Sequence, residues 1–314
     1  MREIAMEKSL NKKSCKSIQT SKRPTITVLG GTGHVGMVYI EEFLSSGFNV
    51  RILARSPGLV ARSFPEAEIV HGSMMQDTDV AGAMKGPDAT FLITPIGGNN
   101  DPEPELKAAR AVIAAAKASH LPHLIYASQI LPKQPTGVAI LDAKVEIENM
   151  FVESCVPWSS LCIGCYMDEW LGMAPGLQKL GLLFNPISSH LPLSFTMKGD
   201  VARVAIELQR QGRTLNGTLD VIEPVTRSLA EVARLISQFR GRKVVASGSY
   251  PWSSIIGMAQ PIFRHVKPTM ASKVTLLNYF NKHGYIGDTN QVAKVLPQFA
   301  MTTMETYLNN LYRS

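Results

Sequence analysis

Gly30, Gly33 and Gly36 stand at three-residue spacing in the run Thr25-Ile-Thr-Val-Leu-Gly-Gly-Thr-Gly-His-Val-Gly36. An apolar, partly β-branched stretch precedes them and a helical pattern follows, so the glycines fall in a strand-to-helix turn. Each has a physical task there. Gly30 lets the chain turn sharply off the strand, Gly33 lets the backbone approach a pyrophosphate, and Gly36 lets the helix pack closely. The helix expected from about His34 to Ser46 points its first amides at the phosphates, and Gly47 is placed to stop it. Such a turn commits the chain to a doubly wound α/β fold with a dinucleotide at its strand ends.

The next strand, Asn49 to Leu53, ends on Ala54-Arg55-Ser56 with no acid nearby. An acid there accepts the ribose hydroxyls of NAD, whereas an arginine suits the extra phosphate of NADP. We therefore expect NADP(H), with Arg55 and Ser56 on the 2′-phosphate. Gly30, Thr32, Gly33, His34, Val35 and Gly36 are expected around the pyrophosphate. Arg51, earlier in the strand, reads as a solvated surface residue.

Strands and helices continue to alternate. Strands are expected at Ala67 to His71, Ala89 to Thr94, His123 to Ser128 and Trp158 to Cys165, and helices at Asp77 to Met84, Glu103 to Ser119 and Ile140 to Ser154. This is the pattern of a parallel sheet covered on both faces. Ligands of such sheets sit beyond the carboxyl ends of the strands. That places Ser73, Thr94, Pro95, Ser128, Gly164, Cys165 and Tyr166 on the ligand side. From about Asp168 onward methionine, glycine and proline recur, which suits an adaptable lid or substrate region. Asp200 to Leu208 reads as a helix with Asp200 at its N-cap or first turn. Thr218 to Ile222 returns as a strand, and Ser228 to Phe239 is a helix capped by Ser228 and stopped by Gly241. Trp252 to Ser314 is mainly helical by pattern.

Composition sets the outer limits. The chain has 314 residues, is 45% hydrophobic and carries a net charge of +7. Residues 1–23 hold seven Lys or Arg and two acids, so most of the excess lies in a polar leader that reads as disordered. The remainder is too nearly neutral for a nucleic-acid surface. No stretch reaches the roughly eighteen apolar residues of a membrane span. The few cysteines suit a reducing cytoplasm. Cys162-Ile-Gly-Cys165 has a metal or redox spacing, but one continuous strand there puts the two thiols on opposite faces, and no second ligand pair accompanies them. No metal site is expected. The organisation is thus a leader at 1–23, an NAD(P)-binding Rossmann domain at 24–166, and a smaller, mainly helical substrate region at 167–314, some of which returns to the sheet.

Taken together, several pieces resemble the NmrA-like branch of the atypical short-chain dehydrogenase/reductases. They are the loop Gly30 to Gly36, the strand ends Leu53-Ala-Arg55, Leu92-Ile-Thr-Pro95 and Tyr126-Ala-Ser128, the Lys144-Val-Glu146 helix and the helix start Gly199-Asp-Val-Ala202. The resemblance covers about residues 24–245. It implies either an NADPH-dependent reductase of quinones, enones, dyes or phenolic ethers, or a nucleotide-binding redox sensor that regulates a protein partner. It also implies that Lys144 binds the nicotinamide ribose and serves catalysis. Ordinary short-chain dehydrogenases add a tyrosine acid four residues earlier, and here that position is Ile140. Tyr166 is the best substitute acid. Asp142 and Glu146 lie at helical offsets of two from Lys144 and do not share its face. The expected substrate is a small apolar carbonyl, quinone or conjugated alkene. Nucleic acid and membrane are not expected partners, whereas a homodimer or a regulatory protein is. A redox-neutral isomerase or cyclase on the same fold stays open.

Overall fold

A computed structural model describes residues 23–132, 134–172, 179–247 and 268–313. The expectations for residues 1–22, and those for the parts of the lid region at 173–178 and of the C-terminal stretch at 252–267, lie outside the described residues.

In chain order the elements begin with β1 (Thr25–Leu29), α1 (His34–Ser45), β2 (Asn49–Ala54), α2 (Pro57–Ser63), β3 (Glu68–His71), α3 (Asp77–Ala83) and β4 (Ala89–Leu92). They continue with α4 (Glu103–Ser119), β5 (Leu124–Gln129), α5 (Ala139–Ser154), β6 (Trp158–Ile163), β7 (Cys165–Tyr166) and α6 (Met167–Leu171). The remainder comprises β8 (Leu182–Leu183), β9 (Phe195–Thr196), α7 (Lys198–Arg210), β10 (Gly217–Val221), α8 (Leu229–Arg240), β11 (Val245–Ala246), α9 (Pro268–His283), α10 (Gln291–Val295) and α11 (Met304–Arg313).

Seven strands form one parallel sheet in the order β10-β6-β5-β4-β1-β2-β3. The order reverses between β1 and β4, which opens a crevice at their carboxyl ends. Both faces of the sheet are covered, so β1, β4 and β6 are buried almost without a break, small hydroxyl residues included. Helices α1 and α7 pack together on one face, while α3, α4 and α5 cover the other. Tyr39, Phe43 and Phe91 centre the first core layer, and Leu92, Tyr126, Phe151 and Trp158 the second. A third cluster gathers Trp170, Phe195, Phe280 and Tyr285 beneath the C-terminal helices. No helix among the described residues is long and apolar enough to cross a membrane.

Local sequence accounts for several element ends. Gly47 takes the left-handed conformation at φ +86 just past α1. Ser228 and Glu231 form a reciprocal capping box at the start of α8, and Gly241 ends that helix at φ +62. Asp200 lies in the first turn of α7, not at its cap. Fully buried, it accepts hydrogen bonds from the Thr302 amide at 2.6 Å and hydroxyl at 2.9 Å.

Two expectations are corrected. The strand at Trp158 to Cys165 breaks at Gly164, where a Cβ would lie 2.4 Å from the Ser194 carbonyl oxygen. The break turns Cys162 and Cys165 into the same apolar cluster instead of opposite faces, and burial pushes both thiols well above their ordinary pKa. Arg51 is not solvated. Its guanidinium donates to the carbonyls of Ala83 and Lys85 and pairs with Glu68 at 2.9 Å, tying β2 to the end of α3.

The C-terminal segments complete the strand ends. The Tyr285 hydroxyl donates to the Ile163 carbonyl at 2.7 Å and accepts from the Ile130 amide at 2.9 Å, joining the ends of β5 and β6. Ser272 of α9 donates to the Gly97 carbonyl at 2.9 Å and accepts from the Asn100 amide at 2.8 Å. Asn100 Oδ1 in turn accepts from the Ala139 amide at the start of α5.

Candidate functional site

The glycine loop divides by what surrounds each residue. Gly30 has φ +82, and a Cβ there would lie 2.2 Å from the Ile93 carbonyl oxygen. A Cβ on Gly36 would lie 2.6 Å from Gly31 Cα, so this glycine seats the loop on its own helix. Gly33 differs, because its nearest neighbour would be the Gly30 carbonyl oxygen at 3.8 Å. The fold makes no steric demand for glycine at that position, and the space beyond it is open to a ligand. Thr32, Gly33 and His34 are exposed, whereas Val35 is half-buried against the α1 face of the sheet. Gly33 caps α1 without a side-chain hydrogen bond, and the first turn carries no acid. A cradle with uncapped amides and a removable-Cβ surface fits a pyrophosphate.

At the end of β2, Arg55 and Ser56 are exposed. Arg55 makes no hydrogen bond or ion pair among the described residues, in contrast to Arg51. Pro57 opens α2 immediately afterwards and fixes the turn that follows Ser56. Ser73, after β3, is used in a turn: its hydroxyl accepts from the Met75 amide at 3.2 Å and its amide donates to Asp79 at 2.9 Å.

The densest polar cluster lies beyond β4. Lys144 Nζ donates to Glu105 Oε2 at 3.0 Å, Tyr126 Oη at 3.1 Å and Thr94 Oγ1 at 3.3 Å. The Thr94 hydroxyl donates to the same Glu105 oxygen at 2.8 Å. Half-buried Pro95 follows Thr94 out of the sheet. Burial alone would lower the Lys144 pKa, but the Glu105 carboxylate and Tyr126 outweigh it and hold the ammonium above the ordinary lysine value. Burial raises the Tyr126 pKa, with Lys144 pulling against it. The cluster therefore keeps Lys144 charged, which makes it a hydrogen-bond donor and a positive charge rather than a proton source. Glu105 and Tyr126 were not anticipated. A signal for Glu105 exists: it stands three and four residues before Ala108 and Ala109, on the buried stripe of α4.

Thr94 and Lys144 thus meet, but Tyr166 is turned elsewhere. Its hydroxyl shares a 2.5 Å hydrogen bond with Tyr39 of α1. Lys198 Nζ lies 5.4 Å from its ring centroid and pairs with Asp168 at 2.7 Å and Glu169 at 2.9 Å. Burial raises the Tyr166 pKa above the ordinary phenol value. No hydrogen bond joins it to Lys144. The amides of Gly164 and Cys165 are engaged by Thr196 Oγ1 at 2.9 Å and the Ser194 carbonyl at 2.8 Å. Ser128 donates to Glu148 Oε1 at 2.9 Å. Ile140 is buried, Asp142 receives the amides of Thr136 and Gly137, and Glu146 is exposed.

The model of the NmrA-like family matches residues 22–308. Among curated proteins, (4-alkanoyl-5-oxo-2,5-dihydrofuran-3-yl)methyl phosphate reductase of Streptomyces griseus is 31% identical over 183 residues, 58% of this chain and 61% of that protein. The match thus spans about three fifths of that reductase's length. An NAD(P)H azoreductase of Xenophilus azovorans is 26% identical over 223 residues, 70% of this chain and 75% of that protein. Among solved structures, an NADPH-dependent quinone oxidoreductase of Escherichia coli in complex with NADPH superposes with a TM-score of 0.73 at 18% identity, covering 91% of this chain and 99% of that one. At that identity the likeness concerns the fold.

Proposed function

Because the chain belongs to the NmrA-like family, we propose that it is an NADPH-dependent reductase of a small apolar carbonyl, quinone or conjugated alkene. The observation that carries this reading is Arg55, exposed and without a partner among the described residues at the end of β2, beside the open cradle at Gly33. An arginine so placed suits the 2′-phosphate of NADP. In this reading Gly30, Thr32, Gly33, His34, Val35 and Gly36 hold the pyrophosphate, and Ser56 assists Arg55. Thr94, Pro95 and Ser128 border the nicotinamide end. The bound nicotinamide supplies the hydride. Lys144 gives up its longest hydrogen bond, 3.3 Å to Thr94, to donate to a ribose hydroxyl and, kept charged by Glu105, stabilises negative charge developing on the substrate. The names of the curated relatives, a reductase of a (dihydrofuranyl)methyl phosphate and an azoreductase, support reduction as the reaction class.

Titration of the purified protein with NADPH and NADH tests the reading first, followed by a screen of quinones and enones as acceptors. Tight NADPH binding with NADH much weaker, and turnover that depends on Lys144, are expected. Equal affinity for both cofactors would remove Arg55 from the site. A second reading, a nucleotide sensor without turnover, is favoured by Ile140 and by the inward hydroxyl of Tyr166, which leave no free acid beside Lys144. NADPH binding with no consumption in the presence of any acceptor is the result that selects it.

A further inference from the structure

Glu148 lies one helical turn beyond Lys144, at the i+4 position on the same face of α5. Its Oε1 accepts hydrogen bonds from Ser128 Oγ at 2.9 Å and Ser160 Oγ at 2.5 Å. No ion pair reaches it among the described residues, since Lys144 is taken by Glu105 at 3.0 Å. The charged or titratable groups that face it are Lys144 from its own helix, Cys162 from β6 and Asp220 from β10. Burial raises its carboxyl above the usual range, and the two serines and Lys144 only partly draw it back. This is a carboxyl held between two buried serine hydroxyls, with no structural cation to satisfy. Ser128, its partner, stands at the carboxyl end of β5 and is buried away from bulk water, so any proton it releases must be replaced from within the protein.

We propose that Ser128 delivers the proton of the reduction and that Glu148 is the relay residue that restores it. This rests on the reductase reading above, and it supplies the acid that Ile140 removes from the helix. As the substrate accepts a hydride from the reduced nicotinamide, negative charge develops on its oxygen or adjacent carbon. The Ser128 O–H bond breaks toward that atom. In the same step Ser128 Oγ takes the proton of the neutral Glu148 carboxyl, so no free alkoxide forms. Glu148 is left as a carboxylate that accepts from Ser128 and Ser160, the arrangement the structure holds, and water reprotonates it before the next turnover. One hydride and one proton enter each substrate molecule.

Two measurements test this, one of which needs no cofactor. In the cofactor-free protein, carbon-13 NMR of the glutamate carboxyls is expected to contain one signal that titrates above the others and vanishes in Glu148→Gln. Ser128→Ala and Ser160→Ala remove donors to the charged form, so each shifts that titration further upward. In turnover with NADPH and menadione, Glu148→Gln is expected to lower kcat about a hundredfold, the scale of a lost proton-transfer group. NADPH affinity and KM stay the same, and the decline of kcat with rising pH that marks Glu148 ionisation is lost. Ser128→Ala gives the same loss, and the double variant is no slower than either single one. If Glu148→Gln folds poorly, Ser128→Ala carries the kinetic expectation alone. Wild-type kcat and pH profile in a folded Glu148→Gln or Ser128→Ala protein would overturn the relay, as would losses that multiply in the double variant or a carboxyl titration indifferent to Ser128→Ala. Wild-type protein that binds NADPH and reduces no acceptor would overturn the reductase reading itself and the relay with it, a result distinct from the others.

Discussion

Replacing Glu105 with Gln isolates the most deeply buried charge pair of the site. The Glu105 side chain is 1% exposed and that of Lys144 7%, with Nζ and Oε2 3.0 Å apart. Neither charge has water as an alternative partner. Gln keeps the shape and an acceptor for Lys144 and the Thr94 hydroxyl, but removes the negative charge. Breaking a buried pair on one side costs about 3–5 kcal/mol. Tyr126 and Thr94 still accept from Nζ, so the lower end, about 3 kcal/mol, is expected. That is a large share of a domain's total stability. The pH dependence follows from the two lysine environments. In the wild type the folded pKa of Lys144 lies above the unfolded value, so its contribution is complete below the unfolded pKa and is lost as pH rises through the folded one. In Glu105→Gln, burial acts without its main opponent and the folded pKa falls below the unfolded value. The variant therefore regains stability as pH rises toward the lysine range, and the gap to wild type narrows. Urea denaturation at about pH 7 and about pH 9.5 reads both effects. Adding Lys144→Met to Glu105→Gln should recover part of the loss, because an uncharged pair leaves no orphaned ion. A Glu105→Gln protein within about 0.5 kcal/mol of wild type near pH 7 would refute the reasoning, since it would mean water reaches Lys144.

Arg55→Ala is expected to weaken NADPH binding by about ten- to a hundredfold, the equivalent of one charge-assisted hydrogen bond, and to leave NADH nearly unchanged in the same fluorescence titration. Gly33→Ala should fold with the thermal midpoint of the wild type, because its Cβ meets only the Gly30 carbonyl oxygen at 3.8 Å, yet bind NADPH poorly. Gly30→Ala, at φ +82 and 2.2 Å from Ile93 O, should lose stability outright. Stability between about pH 4 and pH 7 combines two opposed groups. Burial raises Glu223 to about 7, so its favourable contribution is present below the ordinary carboxyl value and lost as pH rises to 7, whereas burial lowers His123 to about 4, so its contribution is lost as pH falls from 6.5 to 4. Each is worth about 3 kcal/mol, so Glu223→Gln should steepen the acid loss and His123→Gln should reverse it, as read by denaturant midpoints across that range. Midpoints that track wild type in both variants would remove these two groups as its source.

The sheet and its glycine turn were legible because they are written locally. Apolar runs and the glycine spacing each carry their meaning within a few residues, and Arg55 stands exposed at its strand end as its place in the sequence suggests. What was not legible depends on partners distant in sequence. Glu148 looks like any acid on a helix until Ser128 and Ser160 are brought to it, and Glu105, though its place on the buried stripe of α4 marks it, gains its role only from Lys144 and Thr94 of other segments. Tyr166 follows a strand on the ligand side, as expected, but the direction of its hydroxyl is set by Tyr39 of α1. Arg51 was misjudged because its partners, Glu68 and two carbonyls at the end of α3, come from the next strand and the helix that follows it. The break at Gly164 arises from the close passage of Ser194, which no local pattern announces.

The Tyr285 hydroxyl bridges Ile130 and Ile163 across the ends of β5 and β6, and Thr302 satisfies the buried Asp200 at the start of α7. Both partners are synthesised well after the strands and helix they complete. During translation the sheet can assemble while its ligand edge remains unfinished, with open strand ends and with Asp200 held by Arg203 of its own helix alone. The nascent chain is therefore expected to acquire the site only when its last helices dock, so that a ribosome stalled before Tyr285 would hold a sheet without a competent binding edge.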